Sequence, residues 1–153
     1  MSGNAGGAAR KFTELPDIAF VDTNILVYAF DASHPQKQEI ASKLILDGLK
    51  TDSLAFSAQV FAEFMVVMTG KIARPLTETQ AAAILRTLRR ARIVDVTRDV
   101  VFTAIRLRRI CPYHFWDRLI LASAMAAGAG LVLSEDMRSG HHLPGLIIRN
   151  PFP

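Results

Sequence analysis

The sequence predicts an α/β fold: a three-layer α/β/α sandwich around a mostly parallel sheet of four to five strands. Short apolar runs such as residues 18–21 recur along the chain, and such runs are typical of strands buried on both faces. Segments of helical periodicity separate them, and this alternation favours a parallel sheet. The chain has 153 residues, which suits one domain that buries about two-thirds of its unfolded surface.

The elements follow in order along the chain. We predict strands at residues 18–21, 54–56, 93–96 and 131–133, with a fifth candidate strand at the sheet edge over 146–148. We predict a short helix at residues 25–30 and longer helices over about 36–49, 58–69, 78–91, 98–110 and 115–127. Thr77 and Gln80 have the spacing of a capping box, while Gly70 and Gly128 are helix-stop signals.

Composition excludes several classes of protein. Half of the residues are hydrophobic, which argues against a disordered chain, yet no apolar stretch approaches the ~18 residues of a membrane span. The single cysteine, Cys111, excludes an internal disulfide and a cysteine-based zinc cluster. We therefore expect a cytoplasmic protein without membrane association. The Gly- and Ala-rich start lacks the apolar core of a secretion signal, so we expect a loose tail over residues 1–16 and one domain over 17–153.

Charge is distributed unevenly. Residues 1–73 carry 6 Lys and Arg against 8 Asp and Glu, whereas residues 74–153 carry 12 against 6. Arginine dominates the basic half, and arginine suits bidentate contacts with phosphate. This half therefore predicts a polyanionic partner, although single arginines on helix faces are commonly only solvated. The candidates for substrate binding are Arg86, Arg89, Arg90 and Arg92.

Four acidic residues interrupt apolar contexts. Asp22 ends the first strand and Asp136 follows the fourth, so both lie where the cleft of a parallel sheet is expected. Glu63 lies in an apolar helix, where an unpaired carboxylate is costly to bury. Asp117 begins the apolar last helix. Each has an ordinary explanation, namely a helix cap, a turn or an ion pair with arginine, but the four together indicate a site.

A carboxylate cluster of this kind predicts a site for a hard metal ion. Mg²⁺ and Mn²⁺ prefer oxygen ligands, and a divalent cation relieves the repulsion between clustered carboxylates. The matching chemistry is hydrolysis of a phosphodiester bond, with the basic half holding the nucleic-acid backbone. The adjacent pair His141 and His142 is a weak zinc signal, since neighbours on an extended chain point apart. Phe115 and Trp116 are expected in the core rather than as a platform on which bases stack.

The acidic stretches resemble the PIN domain family, and more closely its VapC-type toxins. The resemblance covers about residues 18–152. Its matching stretches are residues 20–24 (FVDTN), 57–64 (SAQVFAEF), 116–120 (WDRLI), 133–136 (LSED) and 145–152 (GLIIRNPF).

The resemblance implies a metal-dependent endoribonuclease, the toxin of a type II toxin–antitoxin pair. It implies that Asp22, Glu63, Asp117 and Asp136 are catalytic and bind Mg²⁺ or Mn²⁺. It also implies supporting roles for Thr23, Asn24 and Ser134, with Glu135 as a helper. The implied partners are RNA, a cognate antitoxin and a second copy of the chain.

One departure keeps other functions open. Arg118 follows Asp117 where the family commonly has a small residue, so it either contacts substrate or pairs with a site carboxylate and weakens metal binding. A PIN fold that binds RNA or protein without efficient cleavage is thus an alternative. A phosphate-metabolising hydrolase is a third, disfavoured by the absence of a glycine-rich phosphate loop.

Overall fold

The computed structural model describes residues 17–153, and within that range the strands form a single sheet. Its six strands are β1 (Ala19–Val21), β2 (Leu54–Ser57), β3 (Arg92–Val94), β4 (Leu131–Leu133), β5 (His142–Leu143) and β6 (Leu146–Arg149). They lie in the order β3-β2-β1-β4-β6-β5. All neighbouring strands are parallel except β5 and β6.

Helices cover both sides of this sheet, as the predicted sandwich requires. They are α1 (Thr23–Tyr28), α2 (Pro35–Lys50), α3 (Ala58–Gly70), α4 (Glu78–Thr87), α5 (Arg98–Leu107) and α6 (Phe115–Ala126). Several begin at residues whose side chains cap them. Thr77 and Gln80 form the predicted capping box of α4, and the Ser57 side chain accepts a hydrogen bond from the Val60 N–H of α3.

The predicted fold class is confirmed, and the sheet has one strand more than expected. The strand predicted at an edge, β6, is internal because β5 pairs on its outer side. The pairing of Leu143 with Leu146 leaves a two-residue turn, whose Gly145 has φ of 73°, a conformation that suits glycine. A strand as short as β5 has too few residues to produce a readable alternation in sequence.

Two helices end before their predicted limits. α4 ends at Thr87 and α5 at Leu107, and a three-residue turn follows each of them. Leu88, the first residue after α4, is fully buried, so the chain turns inward there to enter β3. The arginines that follow, Arg89 and Arg90, lie in this exposed turn and not on the helix.

The core lies around the central strands. Every residue of β1, β2 and β4 is buried, together with Phe64 of α3. Gly48 of α2 lies directly over Leu54, since a Cβ atom built at Gly48 would be 2.4 Å from the Leu54 Cγ. Across residues 17–153, none of the helices has the length and apolar character needed to span a membrane. The predicted tail, residues 1–16, lies outside the described residues.

Candidate active site

The candidate site begins where the two central strands end. β1 and β4 are paired so that Val21 lies opposite Leu133, which places Asp22 and Ser134 side by side at the carboxyl edge of the sheet. The Ser134 hydroxyl donates a hydrogen bond of 2.7 Å to Asp22 Oδ2. A contact between residues 112 positions apart thus follows directly from the strand register.

Asp22 is the buried centre of this edge. Its side chain is 6% exposed, and its Oδ1 accepts a hydrogen bond of 2.7 Å from the Thr23 N–H at the start of α1. Burial raises the pKa of Asp22 to about 6, and the nearby charges of Asp136 and Glu63 add to the increase. The bonds from Ser134 and Thr23 act on the pKa in the opposite direction because they stabilise the carboxylate.

Thr23, which follows Asp22 at the end of β1, links this strand to α3. Its hydroxyl donates a hydrogen bond of 2.6 Å to Glu63 Oε2. The other carboxylate oxygen of Glu63 accepts a hydrogen bond of 2.9 Å from Gln59 Nε2, one helical turn earlier on α3. Glu63 is therefore held at both oxygens by neutral donors, which is how a half-buried carboxylate in an apolar helix remains stable without a basic partner.

Asn24 links α1 to the loop after β4. Its Nδ2 donates to Asp136 Oδ2 at 2.9 Å, and its Oδ1 accepts from the Glu135 N–H at 3.3 Å. One amide side chain thus fixes both the backbone of this loop and the exposed carboxylate that it carries. Asp22, Thr23 and Asn24, three consecutive residues, each hold a different segment of the site.

Asp117 approaches the same region from the first turn of α6. Burial raises its pKa, and the charges of Asp136 and Glu63 contribute further increases, while His114 lowers it. The four predicted acids therefore influence one another electrostatically, although they come from four separate segments. This coupling is the expected behaviour of like charges gathered in one cleft.

The donor set agrees with a hard metal ion, but the side chains are not converged on one point. Within residues 17–153, no three His, Cys, Asp or Glu side chains form a group that could hold a metal ion as they stand. Glu63 and Asp136 instead accept hydrogen bonds from Thr23 and Asn24. The oxygen-only chemistry matches Mg²⁺ or Mn²⁺, and a carboxylate that accepts one hydrogen bond keeps lone pairs for a metal ion, so coordination would require the acids to converge but not to lose these donors.

Glu135 is engaged elsewhere. Its carboxylate pairs with Lys37 of α2, whose ammonium group also lies 4.5 Å from the centre of the Tyr28 ring and 5.3 Å from that of Phe152. This arrangement neutralises Glu135 and points it toward α2. Between the two adjacent acids of the loop, Asp136 is thus the one that contacts the site through Asn24.

Arg118 does not pair with a site carboxylate, and that expectation is wrong. Its Nη1 donates to the carbonyl oxygens of Ala104 at 3.0 Å and Ile105 at 3.5 Å, in the last turn of α5. Its guanidinium also lies 5.7 Å from the centre of the Phe115 ring. Carbonyl groups in the last turn of a helix lack intrahelical donors, so Arg118 caps α5 and leaves the acids unneutralised.

The other candidate arginines lie away from the acids. Arg92 begins β3 and donates to the carbonyl oxygen of Ala127 at the end of α6. Arg90 lies 3.9 Å from Asp52, which precedes β2. Since β2 and β3 are parallel, these contacts belong to the edge where strands begin, opposite the carboxyl edge that carries Asp22. Arg86 and Arg89 are exposed beside them, at the end of α4.

A groove of about 1160 Å³ lies beside the acids. Asn24, Glu63 and Asp136 line it, followed by an apolar stretch along α1 and α3. Trp116 also lines it and is 64% exposed, so the expectation that this residue belongs to the core is wrong. The helix pattern misleads here because Trp116 lies in the first turn of α6, beyond the layer that packs on the sheet.

Sequence reasoning missed two residues of this region. Gln59 is separated from Glu63 by four positions, the spacing at which helical side chains meet, so this pair was detectable. Lys37 was not, because 98 residues separate it from Glu135 and only the fold brings them together. The histidine pair is divided between a loop and β5, and His141 contacts the Tyr113 hydroxyl at 2.6 Å.

Comparison with known proteins agrees with this architecture. The family model of the PIN domain matches residues 19–141, most of the chain and all four acids. The chain therefore belongs to the PIN domain family. No curated protein matches it significantly.

Solved structures show the same fold. A toxin–antitoxin complex from Klebsiella pneumoniae aligns with a TM-score of 0.63 and 20% identity, covering 88% of this chain and 98% of that one. VapBC2 from Rickettsia felis, bound to a DNA fragment from its promoter, aligns with a TM-score of 0.61 and 24% identity, covering 87% of this chain and 98% of that one. VapC20 from Mycobacterium tuberculosis, a sarcin–ricin loop cleaving toxin, aligns with a TM-score of 0.57 and 21% identity, covering 77% of this chain and 89% of that one.

Proposed function

We propose that the chain is a metal-dependent endoribonuclease and the toxin of a type II toxin–antitoxin pair, of VapC type. The observation that carries this proposal is the linked set of acids at the carboxyl edge of the sheet, held by Asp22, Thr23 and Asn24 through contacts to Ser134, Glu63 and Asp136. Family membership and the toxins among the similar structures support it.

Mg²⁺ or Mn²⁺ is the cofactor in this proposal, and Asp22, Glu63, Asp117 and Asp136 would hold it. When bound, such an ion polarises the phosphodiester and lowers the pKa of water for attack on phosphorus. The donor chemistry supports the choice, since all four groups offer oxygen. The ion would also lower the raised pKa values of Asp22 and Asp117, because a nearby positive charge stabilises carboxylates.

The chain's own residues contribute orientation. Ser134 and the Thr23 N–H fix the two oxygens of Asp22, so this carboxylate cannot rotate freely. Thr23 and Asn24 hold Glu63 and Asp136 near it by hydrogen bonds from neutral donors. Asp22 is buried at the base of the site, where the local dielectric constant is low and charge–charge interactions are therefore strong.

The proposed protein partner is an antitoxin segment lying in the groove. The groove is mainly apolar along α1 and α3 and acidic at one end, so it suits an amphipathic or extended peptide with a basic residue near Glu63 and Asp136. We also propose a homodimer, for which exposed apolar residues on α5, Phe102 and Ile105, provide a candidate surface. Sedimentation velocity on the isolated chain tests this; a monomer at micromolar concentration contradicts it.

A non-cleaving PIN module is the alternative. It depended mainly on Arg118 as a residue that would neutralise the site, and Arg118 binds the end of α5 instead. Among the described residues, none of the ion pairs joins an arginine or lysine to Asp22, Glu63, Asp117 or Asp136. Both observations favour an enzyme.

The deciding experiment is a cleavage assay on a mixture of structured and single-stranded RNAs. Wild type is compared with Asp22→Asn, with Mg²⁺, with Mn²⁺ and with chelator. We expect cleavage that requires the ion and falls at least about 100-fold in Asp22→Asn, since even the residues that support metal ligands affect activity roughly 10- to 100-fold. RNA binding without cleavage by wild type would support the binding module. Cleavage of equal rate in Asp22→Asn would indicate a contaminating nuclease.

A further inference from the structure

Trp116 lies at the rim of the groove and directly precedes Asp117 in the chain. It is the only tryptophan of the chain, and it has the largest exposure among the large hydrophobic residues that the structure describes. Single exposed apolar side chains are common and need no explanation. Trp116 differs because it lines the same groove as Asn24, Glu63 and Asp136.

The site holds the backbone of Trp116, and a neighbouring ring supports its indole. Gln59 Nε2 lies 3.4 Å from the Trp116 carbonyl oxygen and 2.9 Å from Glu63 Oε1, so one amide group holds both residues. The Phe115 ring packs edge-on against the indole, with centres 5.8 Å apart and an angle of 69° between planes. The backbone and one side of the ring are thus supported while most of the side chain remains available.

A second observation indicates a ligand with hydrogen-bond donors beside this ring. Gln59 lines the groove and is 9% exposed, and its Oε1 has no donor among the described residues. A buried acceptor without a partner is unfavourable, and a rotation of the Gln59 side chain toward the groove would let a ligand donor satisfy it. A nucleobase with an exocyclic amino group combines a flat face for stacking with such a donor.

We propose that Trp116 is a stacking platform for a nucleobase of single-stranded RNA and thereby positions the strand at the carboxylates. This inference rests on the proposed ribonuclease function and specifies its substrate as a strand with an unstacked base. Aromatic rings that stack on bases tolerate any sequence, because every base has a π-face. Trp116 is therefore a positioning residue and takes no part in the bond-breaking step.

The single tryptophan makes the test direct. Intrinsic fluorescence of wild type is titrated in chelator with a short oligo(A) and with an abasic oligonucleotide of the same backbone and length. We expect oligo(A) to quench the fluorescence and the abasic strand to leave it nearly unchanged. Equal quenching by both strands, or none by either at concentrations where labelled oligo(A) binds, overturns the proposal.

Variants separate stacking from a structural role. Trp116→Leu retains an apolar side chain but no ring, Trp116→Phe retains a smaller ring, and Leu46→Ala removes a large apolar residue that is 57% exposed on α2, outside the groove. We expect Trp116→Leu to raise KM for single-stranded RNA roughly tenfold with kcat within about twofold, Trp116→Phe to give an intermediate KM, and Leu46→Ala to match wild type. Thermal melts confirm that each variant is folded.

The remaining outcomes are also decisive. Unchanged KM in Trp116→Leu with weaker self-association in sedimentation would identify Trp116 as a protein contact and overturn the proposal. Loss of kcat without a change in KM would do the same, since it indicates a disturbed Asp117. If wild type does not cleave RNA at all, the proposed enzyme fails, yet the fluorescence titration still decides whether a base stacks on Trp116.

Discussion

The two edges of the sheet carry opposite charge and are built differently. At the carboxyl edge, Asp22, Glu63 and Asp136 are each held by a partner from another segment, and Asp22 is buried. At the opposite edge, Arg86 and Arg89 are exposed, while Arg92 binds a backbone carbonyl. Charged residues that are buried or held by specific hydrogen bonds at a cost in stability are candidates for function. Exposed charged residues require separate evidence of a functional role.

The largest difference in cleavage activity is expected between substitutions of the two acids in the loop after β4. Asp136→Asn should reduce cleavage roughly 100-fold or more and abolish most metal binding, because it removes the negative charge of a proposed ligand. Glu135→Gln is the matched control, since Glu135 already pairs with Lys37 and should be nearly dispensable for cleavage. The same assay and calorimetry with Mn²⁺ measure both. Retained cleavage in Asp136→Asn with loss in Glu135→Gln would reverse the assignment.

Burial of Asp22 at the carboxyl edge should destabilise the fold when this residue is ionised, so the free energy of unfolding should depend on pH. The folded chain raises the pKa of Asp22 from 3.8 to about 6, so it binds the proton more tightly than the unfolded chain does. The contribution of this group to the free energy of unfolding therefore falls as pH rises from about 4 to 6 and is lowest above pH 6. The full effect is at most about 3 kcal/mol, at roughly 1.36 kcal/mol per pKa unit.

Asp22→Asn tests this cost. In chelator at about pH 7.5, the variant should be more stable than wild type by up to about 3 kcal/mol, and the difference should shrink toward about pH 4. Asn keeps an oxygen for the Thr23 N–H, so the start of α1 is preserved. Urea melts over this pH range measure it. Asp47→Asn, in an exposed pair with Lys43, is the control and should not be stabilised; an Asp22→Asn variant less stable than wild type at the upper pH contradicts the assignment.

The basic edge can be tested for contact with RNA. Charge reversal at Arg86 and Arg89 should weaken binding of long RNAs and reduce the slope of affinity against salt by about 2, roughly one for each phosphate that is no longer neutralised. Short oligonucleotides that cover only the groove should bind equally well, because these arginines lie at the far edge. Filter binding over a range of salt concentrations decides it. An unchanged slope with long RNA would mean that the two arginines are only solvated.

The smallest expected effect is a difference in the free energy of unfolding between substitutions of Arg92 and Arg89. Arg92→Met should lower the free energy of unfolding by about 1 kcal/mol, because the Ala127 carbonyl oxygen at the end of α6 loses its donor. Arg89→Met should change it by less than about 0.5 kcal/mol, as exposed substitutions usually do. Urea melts of both variants give the comparison. Equal values would show that the hydrogen bond of Arg92 adds no stability.

The outcome at Trp116 and Arg118 shows where sequence patterns fail. Both residues belong to the same helix start, and both looked like interior or site residues from their neighbours. Whether a side chain in the first turn of a helix points to the core, to a neighbouring helix end or to solvent depends on how that helix is packed. Arg118 lies against the carbonyl groups at the end of α5 and Trp116 lines the groove, and nothing in residues 115–120 distinguishes these cases.

The sequence by itself determined the alternation of strands and helices, the capping box of Thr77 and Gln80, and the four acids as exceptions to apolar patterns. These are local properties, since burial periodicity and capping depend on neighbouring residues. Only the tertiary structure decided which acid is buried, which partner holds each one, and that the arginines lie at the far edge. Strand register brings Asp22 to Ser134 and Asn24 to Asp136 across 112 residues. Such contacts are set by the packing of the whole chain, because no local preference encodes them.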